Sequence, residues 1–400
     1  MKTYDAIILG AGAAGLMAAI EAGRRGRRVL VIDHAKAAGE KIRISGGGRC
    51  NFTNMTVSAD RFLSRNPRFA LSALKRFGPA DFIERVDAAG ITWHEKALGQ
   101  LFCDGSAKQI VDLLLRDLAK AGGELWLDCA VGEVRGGEVR GGEVREGFTV
   151  STARGDVSAP ALVVATGGKS IPKMGATSFG YKLAEAFGLP VTETRPALVP
   201  LTFATQELEW MAPLSGVSLP VVARAEGGPA FPEALLFTHR GLSGPSVLQI
   251  SSFWREGQGV RFDLLPGVDV AGHLRTMRGT QGRQGLAAAL TPLMPERLAR
   301  HMAGLLAPDA ALSTMSNAAV EGLAQSLHGW RLTPVGSEGY RTAEVTLGGV
   351  DTAALDARTM EAKGVPGLYF VGEVVDVTGW LGGYNFQWAW SSGWAAGQVI

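Results

Sequence analysis

The sequence predicts an α/β fold in which a Rossmann-like, dinucleotide-binding domain is discontinuous and carries an inserted β-barrel-like plus helical domain. Three observations predict it. A glycine fingerprint joins a buried strand to an Ala-rich helix at the start of the chain, residues 190–334 change character, and buried-strand patterning returns from Glu344 onward. The expected boundaries are 1–189 with 335–400 for the first domain and 190–334 for the insert, which is β-rich over 190–262 and mainly helical over 263–334.

Residues 4–9, Y-D-A-I-I-L, read as a buried strand bounded by Gly10, and residues 13–22 as an Ala-rich helix. Between them G-A-G-A-A-G places Gly10 at the sharp turn and Gly12 where backbone must approach a pyrophosphate. Gly15 sits where helix and strand pack closely. Ala13 and Ala14 open the helix, whose N-terminus suits phosphate. The second strand, residues 29–32, ends in Asp33, an acid placed for the hydroxyls of an adenosine ribose.

Bulk properties exclude several classes. Four hundred residues exceed the usual single domain, and 46% hydrophobic with 20% charged residues excludes a disordered or fibrous chain. The 54 glycines fall in short runs, as tight turns against a ligand require. A net charge of +2, with no Lys/Arg tract dominating a segment, leads us to expect no nucleic-acid partner. Cys50, Cys103 and Cys129 are odd in number and lack CxxC spacing, which indicates a reducing compartment and no metal site. No stretch stays apolar for the ~18 residues of a membrane span, so a cytoplasmic protein without membrane association is expected.

Residues 39–54 read G-E-K-I-R-I-S-G-G-G-R-C-N-F-T-N, where an NAD dehydrogenase would continue as helix. Such a loop offers many N–H groups and fixed charge to an anion or to the polar edge of a flavin. The S-G-G-G-R-C-N-x-T-N string resembles the bacterial flavoproteins that include aminoacetone-oxidase-like and BaiN-like proteins, which are NAD(P)/FAD-dependent oxidoreductases. The resemblance implies a two-dinucleotide-binding FAD domain, with this loop lining the FAD site. It makes Lys41, Ser45, Gly46, Gly47, Arg49, Cys50 and Asn51 the candidate contacts. Cys50 has no cysteine partner a few residues away and reads first as a packed small residue, with direct redox chemistry as the open alternative.

Residues 70–89 and 109–121 have apolar positions at helical spacing, and 125–131 and 148–152 read as strands. Between those strands a Gly-Gly-Glu-Val-Arg repeat suggests a mobile β-hairpin with a solvated charged face. Residues 161–165 form a buried strand ending in Thr166, Gly167 and Gly168. An A-T-G-G string there resembles the return of the chain to the cofactor in two-dinucleotide-fold flavoproteins. Within the insert, L-F-T-H-R-G-L-S-G-P holds His239, a candidate proton donor because imidazole titrates near neutrality, although a lone His is more often structural.

Near the end, G-L-Y-F-V-G-E resembles the FAD-closing strand, with Gly372, Glu373 and Asp376 as candidates near the ribityl chain or pyrophosphate. Glu373 could equally cap the next turn. Gly382, Gly383, Tyr384 and Asn385 then start an Ala- and Trp-rich helix, presenting N–H groups and a helix dipole to a flavin's pyrimidine edge.

The leading expectation is an FAD-dependent oxidoreductase, with NAD(P)H as a candidate transient donor, passing electrons to a small organic substrate or oxygen. No second G-x-G-x-x-G follows, so a dedicated NAD(P)H domain is not visible. Two alternatives stay open: a flavoprotein that binds or modifies RNA, against which the near-neutral charge argues, and a non-catalytic flavin-binding protein. The oligomeric state is open.

Overall fold

Short apolar strands alternating with helices build a parallel sheet, because each helix must bury its apolar stripe against a sheet face. The computed structural model describes residues 1–136, 139–140, 143–144, 147–308 and 310–400. They form two units, Met1–Arg195 with Val345–Ile400, and Pro196–Glu344.

The first unit contains β1 (Ala6–Leu9), α1 (Ala13–Arg24), β2 (Val29–Ile32), α2 (Glu40–Gly48), α3 (Lys108–Lys120), β3 (Glu124–Trp126), β4 (Ala161–Val164), β5 (Leu368–Phe370) and α4 (Tyr384–Gly397). Its central sheet is parallel throughout, in the order β5-β4-β1-β2-β3. Every residue of β1, β2, β4 and β5 is buried, which is why those strands are apolar without alternation. The far end of the chain completes the sheet: Leu368, Tyr369 and Phe370 pair with Leu162, Val163 and Val164.

α4 returns across α1. A Cβ at Gly393 would collide with Ala14 O, and one at Gly397 would sit 2.5 Å from Glu21 Cβ and 2.8 Å from Ala18 O. The contacts advance in the same direction along both helices, so α1 and α4 run parallel, backbone against backbone. The end of α4 is tied down by Arg25 and Arg27, which donate to Ile400 O at 2.9 and 3.0 Å.

The second unit holds seven antiparallel strands: Trp330–Leu332, Val260–Asp263, Ser218–Ala225, Phe231–Thr238, Gly241–Ser243, Leu201–Thr202 and Gly336–Ser337, in that order across the sheet. The two edge strands are joined by residues 333–335 alone, a reach of roughly 14 Å, so the sheet must curl toward closure. Helices Val270–Gln281, Glu296–Leu306 and Asn317–His328 supply the helical part.

Some local expectations differ. Residues 70–89 form two helices, Leu71–Arg76 and Pro79–Ala88, because Pro79 lacks the N–H needed to continue a helix and instead starts one. The strand expected over 125–131 ends at Trp126, and Asp128 turns the chain at a φ of 50°. The Gly-Gly-Glu-Val-Arg repeat, expected as a mobile hairpin, lies mostly outside the described residues. Among the described residues no helix is long and apolar enough to cross a membrane.

Gly393→Val tests the crossing. Overpacking at a backbone contact is expected to cost more than about 2 kcal/mol and to lower the thermal midpoint by several degrees. An unchanged midpoint would contradict the close approach.

Candidate cofactor site

The three fingerprint glycines meet three different constraints. Gly10 has a φ of 112°, and a Cβ there would collide with Ala165 O; a Cβ at Gly15 would collide with Gly10 O. Around Gly12 a Cβ would meet nothing within 4 Å. Turn and packing therefore fix the first and third glycines, while the second faces open space at the N-terminus of α1, where Gly12 is the N-cap. Unpaired N–H groups and the positive end of the helix dipole make that space favourable for phosphate.

Asp33 follows β2 and steadies the same turn: its carboxylate accepts from Ala11 N at 2.7 Å and from Ala35 N at 2.8 Å. Each oxygen keeps lone-pair capacity for a further donor, such as a ribose hydroxyl.

Where a loop was expected, residues 40–44 start as helix and the chain then breaks. Ser45 is extended, and Gly46, Gly47 and Gly48 take φ values of 57°, 66° and 86°. Cβ atoms at Gly47 and Gly48 would meet nothing within 4 Å. Arg49 is exposed and Asn51 half-buried beside them. Cys50 turns at a φ of 51° and has no exposed surface. Burial pushes its thiol up to about 12, so it is a packed, protonated side chain that supports the loop from beneath.

Lys41 and Glu373, expected as separate contacts, are brought together. Lys41 Nζ lies 2.6 Å from Glu373 Oε2 and donates to Ser170 Oγ, while Glu373 Oε1 accepts from Ser170 Oγ and Thr346 N, both at 3.0 Å. This cluster fixes β5's end against the loop after β4. Gly168 is packed into it, since a Cβ there would collide with Glu373 and Thr346. Gly167 is open, with a φ of 70°, and the Thr166 hydroxyl is buried without a hydrogen-bond partner. Ser170 and Thr346 are site residues that the sequence reading misses; single hydroxyls in glycine-rich strings give no pattern to find.

Gly372 is clamped rather than open: its N donates to Ser392 Oγ at 2.9 Å, and its O accepts from Trp388 Nε1 at 3.0 Å. Asp376 is buried, which raises its carboxyl above the usual range, and it accepts from Arg65 N at 3.0 Å. Its carboxylate anchors residue 65. Gly382 and Gly383 take φ values of 115° and 93°, and a Cβ on Gly383 would collide with Thr53 O. Asn385 closes this turn on Gly379, accepting from its N at 2.8 Å and donating to its O at 2.9 Å, and buried Tyr384 begins the helix.

Because Gly393 lies level with Ala14, the N-terminus of α4 lies eight residues beyond that of α1, about 12 Å at 1.5 Å per residue. Two helix N-termini of the same direction, offset along one line, suit an extended flavin dinucleotide with its pyrophosphate at one and its pyrimidine edge at the other. The open space at Gly12, Gly47 and Gly167 passes the same test: backbone is exposed where a cofactor would need close approach. His239 belongs to the second unit, exposed on the turn after Phe231–Thr238, with Arg240 beside it 4.0 Å from Glu338.

Comparison with known proteins gives the class. The HI0933-like protein Rossmann domain matches residues 4–399. Ribosomal RNA dihydrouridine synthase of Escherichia coli K12 is 52% identical over 100% of this chain and 98% of its own length. The Haemophilus influenzae protein of the same name is 46% identical over 100% and 99%. The 3-dehydro-bile acid delta(4,6)-reductase of Clostridium scindens is 28% identical over 98% of both chains. In fold, 3-ketosteroid delta1-dehydrogenase from Sterolibacterium denitrificans superposes over 99% of both chains with a TM-score of 0.53 at 13% identity.

These relatives correct one expectation. The absence of a nucleic-acid partner does not stand, because two full-length relatives are named for modifying ribosomal RNA. Net charge misleads here because it sums over the whole chain, whereas an RNA reads the local field of one surface.

Gly12→Val is expected to yield a folded, colourless protein, since its side chain enters only open space, while Gly15→Val is expected not to fold; flavin absorbance with circular dichroism separates the two. At pH 8 iodoacetamide should leave Cys50 and Cys103 unmodified in the native protein, since burial also pushes the Cys103 thiol up to about 11. Mass-spectrometric detection of alkylated Cys50 before unfolding would contradict its placement.

Proposed function

The chain belongs to the HI0933-like Rossmann-domain family, and from that premise we propose that it is an NAD(P)H-driven ribosomal RNA dihydrouridine synthase. It is an FAD-dependent oxidoreductase whatever its substrate. The observation that carries the finer reading is the 52% identity to a synthase of that name, which extends through the inserted unit as well as the cofactor unit.

Dihydrouridine is uridine with its C5=C6 bond saturated, so the reaction adds a hydride to one carbon and a proton to the other while NAD(P)H becomes NAD(P)+. Bound FAD supplies the relay between the two. The reduction of ring double bonds named for the Clostridium scindens relative is chemistry of the same kind.

In this reading the N–H groups of residues 12–14 hold the pyrophosphate, Asp33 holds the ribose, and the glycine run 46–48 with Ser45, Arg49 and Asn51 borders the flavin. The N-terminus of α4 offsets negative charge at the pyrimidine edge with the positive end of its dipole. Lys41 and Glu373 hold β5 and the loop after β4 in register, so they position the site through Ser170. His239 is carried forward as the proton donor, on the basis of its exposure and its chemistry alone.

The test is incubation with NADPH and unmodified ribosomal RNA made by transcription, followed by digestion and mass spectrometry of the nucleosides. The expected product is a uridine with two added hydrogens. NADPH consumption with every uridine unchanged would overturn the substrate and return the reading to a small organic acceptor or oxygen. His239→Gln is expected to lower turnover about 10²-fold at unchanged flavin content; full turnover would remove it from the proton path.

A further inference from the structure

Residues 61–76 carry Arg61, Arg65, Arg68, Lys75 and Arg76 and no acidic side chain. This segment lies along α4, held by aromatic residues that point inward. Phe62 packs edge-on to Tyr384 with ring centroids 6.1 Å apart, Phe69 edge-on to Trp388 at 6.2 Å, and Phe77 stacks on Trp394 at 5.9 Å. At its start Leu63 and Phe62 pair with Thr378 and Gly379, and Trp380 N donates to Arg61 O at 2.9 Å.

The apolar side chains thus face α4, while Arg65, Arg68, Lys75 and Arg76 are exposed. Arg358 extends the strip, since Arg76 donates to its carbonyl. The neighbouring acids are Asp60, 3.5 Å from Arg61, Asp351, 3.8 Å from Arg65, buried Asp376, which accepts from Arg65 N at 3.0 Å, and Asp356, whose carboxylate accepts from Arg358 N at 2.7 Å. Six cations therefore face four acids, one of them buried, and Arg68 and Lys75 have no ion-pair partner among the described residues. Arg61 lies over the Trp380 ring, 4.4 Å from its centroid, two residues before Gly382. An aromatic–guanidinium pair of this kind suits an unstacked base.

The other dense basic run, residues 24–28, differs in both respects. Arg24 pairs with Glu21 and Asp117, Arg25 and Arg27 bind Ile400 O, and Arg28 lies over Tyr4. It also sits before β2, at the amino edge of the parallel strands, whereas ligands of such sheets bind at the carboxyl edge.

We propose that the strip Arg61, Arg65, Arg68, Lys75, Arg76 and Arg358 docks the phosphate backbone of the RNA and leads a target uridine toward the N-terminus of α4. This rests on the RNA substrate proposed above. Guanidinium and ammonium groups along one exposed line neutralise successive phosphates, and the counterions released make binding dependent on salt.

The test is the affinity of the flavin-loaded protein for unmodified transcribed ribosomal RNA across a salt series, for wild type and for the double variant Arg68→Ala/Lys75→Ala. Both side chains are exposed, so flavin content and melting temperature should not change. The affinity of the variant should fall about 10-fold or more, and its slope of log K against log salt should be shallower by about 1.4, from roughly 0.7 per lost phosphate contact in single-stranded RNA. Arg68→Lys, which keeps the charge, should stay near wild type. If wild type binds and the double variant binds equally well with the same slope, the strip is wrong and the RNA substrate stands. A wild type that neither binds RNA nor forms dihydrouridine sinks both.

Discussion

The crossing of α1 and α4 is the contact on which the cofactor unit depends. Gly393 and Gly397 let the last helix lie directly on the backbone of the first, and a side chain at either position would force them apart. Because the helices run parallel, the contact also sets the offset between their N-termini, hence the distance between a phosphate site and a flavin-edge site. Gly372 is held between the same helices, bonded to Ser392 and Trp388 and packed on Ala14. Trp390 donates to Phe52 O, and Gln387 links Thr53 to Phe77 O, so the segment after the glycine run is fastened to α4 as well.

Glycine in this unit marks two opposite situations. At Gly10, Gly15, Gly168 and Gly393 another atom already occupies the place of a side chain, and the glycine permits protein to pack on protein. At Gly12, Gly47 and Gly167 the place is open, and the glycine exposes backbone to whatever binds there. The second group traces the face that a dinucleotide would follow, from the N-terminus of α1 past the loop after β4.

The fold class and the division of labour within the fingerprint were legible in the sequence because they depend on local rules: strand, turn, helix, strand and acid in fixed order. What was not legible depends on distance along the chain. Lys41 and Glu373 are 332 residues apart, and neither residue type reveals that they pair directly and share Ser170. Asp376 was singled out by resemblance to the closing strand of flavoproteins, and its burial and its bond from the N–H of Arg65, 311 residues away, lie beyond any local pattern. The break before Pro79 is hidden because apolar positions keep helical spacing across it, while Gly78 is extended and proline cannot continue a helix from the preceding turn. Net charge argued against the RNA alternative for the same kind of reason: five cations within sixteen residues vanish in a net charge of +2.

On the proposed function, one protein surface would hold an RNA base beside the FAD that residues 12–14, Asp33 and the glycine run 46–48 would bind, so that reducing equivalents reach uridine by way of the flavin. The direct measurement is anaerobic: reduce the protein-bound flavin with one equivalent of NADPH, add unmodified transcribed ribosomal RNA, and follow flavin absorbance while counting dihydrouridine. The account predicts that the oxidised-flavin spectrum returns with one dihydrouridine formed per flavin. A flavin that stays reduced with RNA and is reoxidised by oxygen or a small acceptor would contradict it.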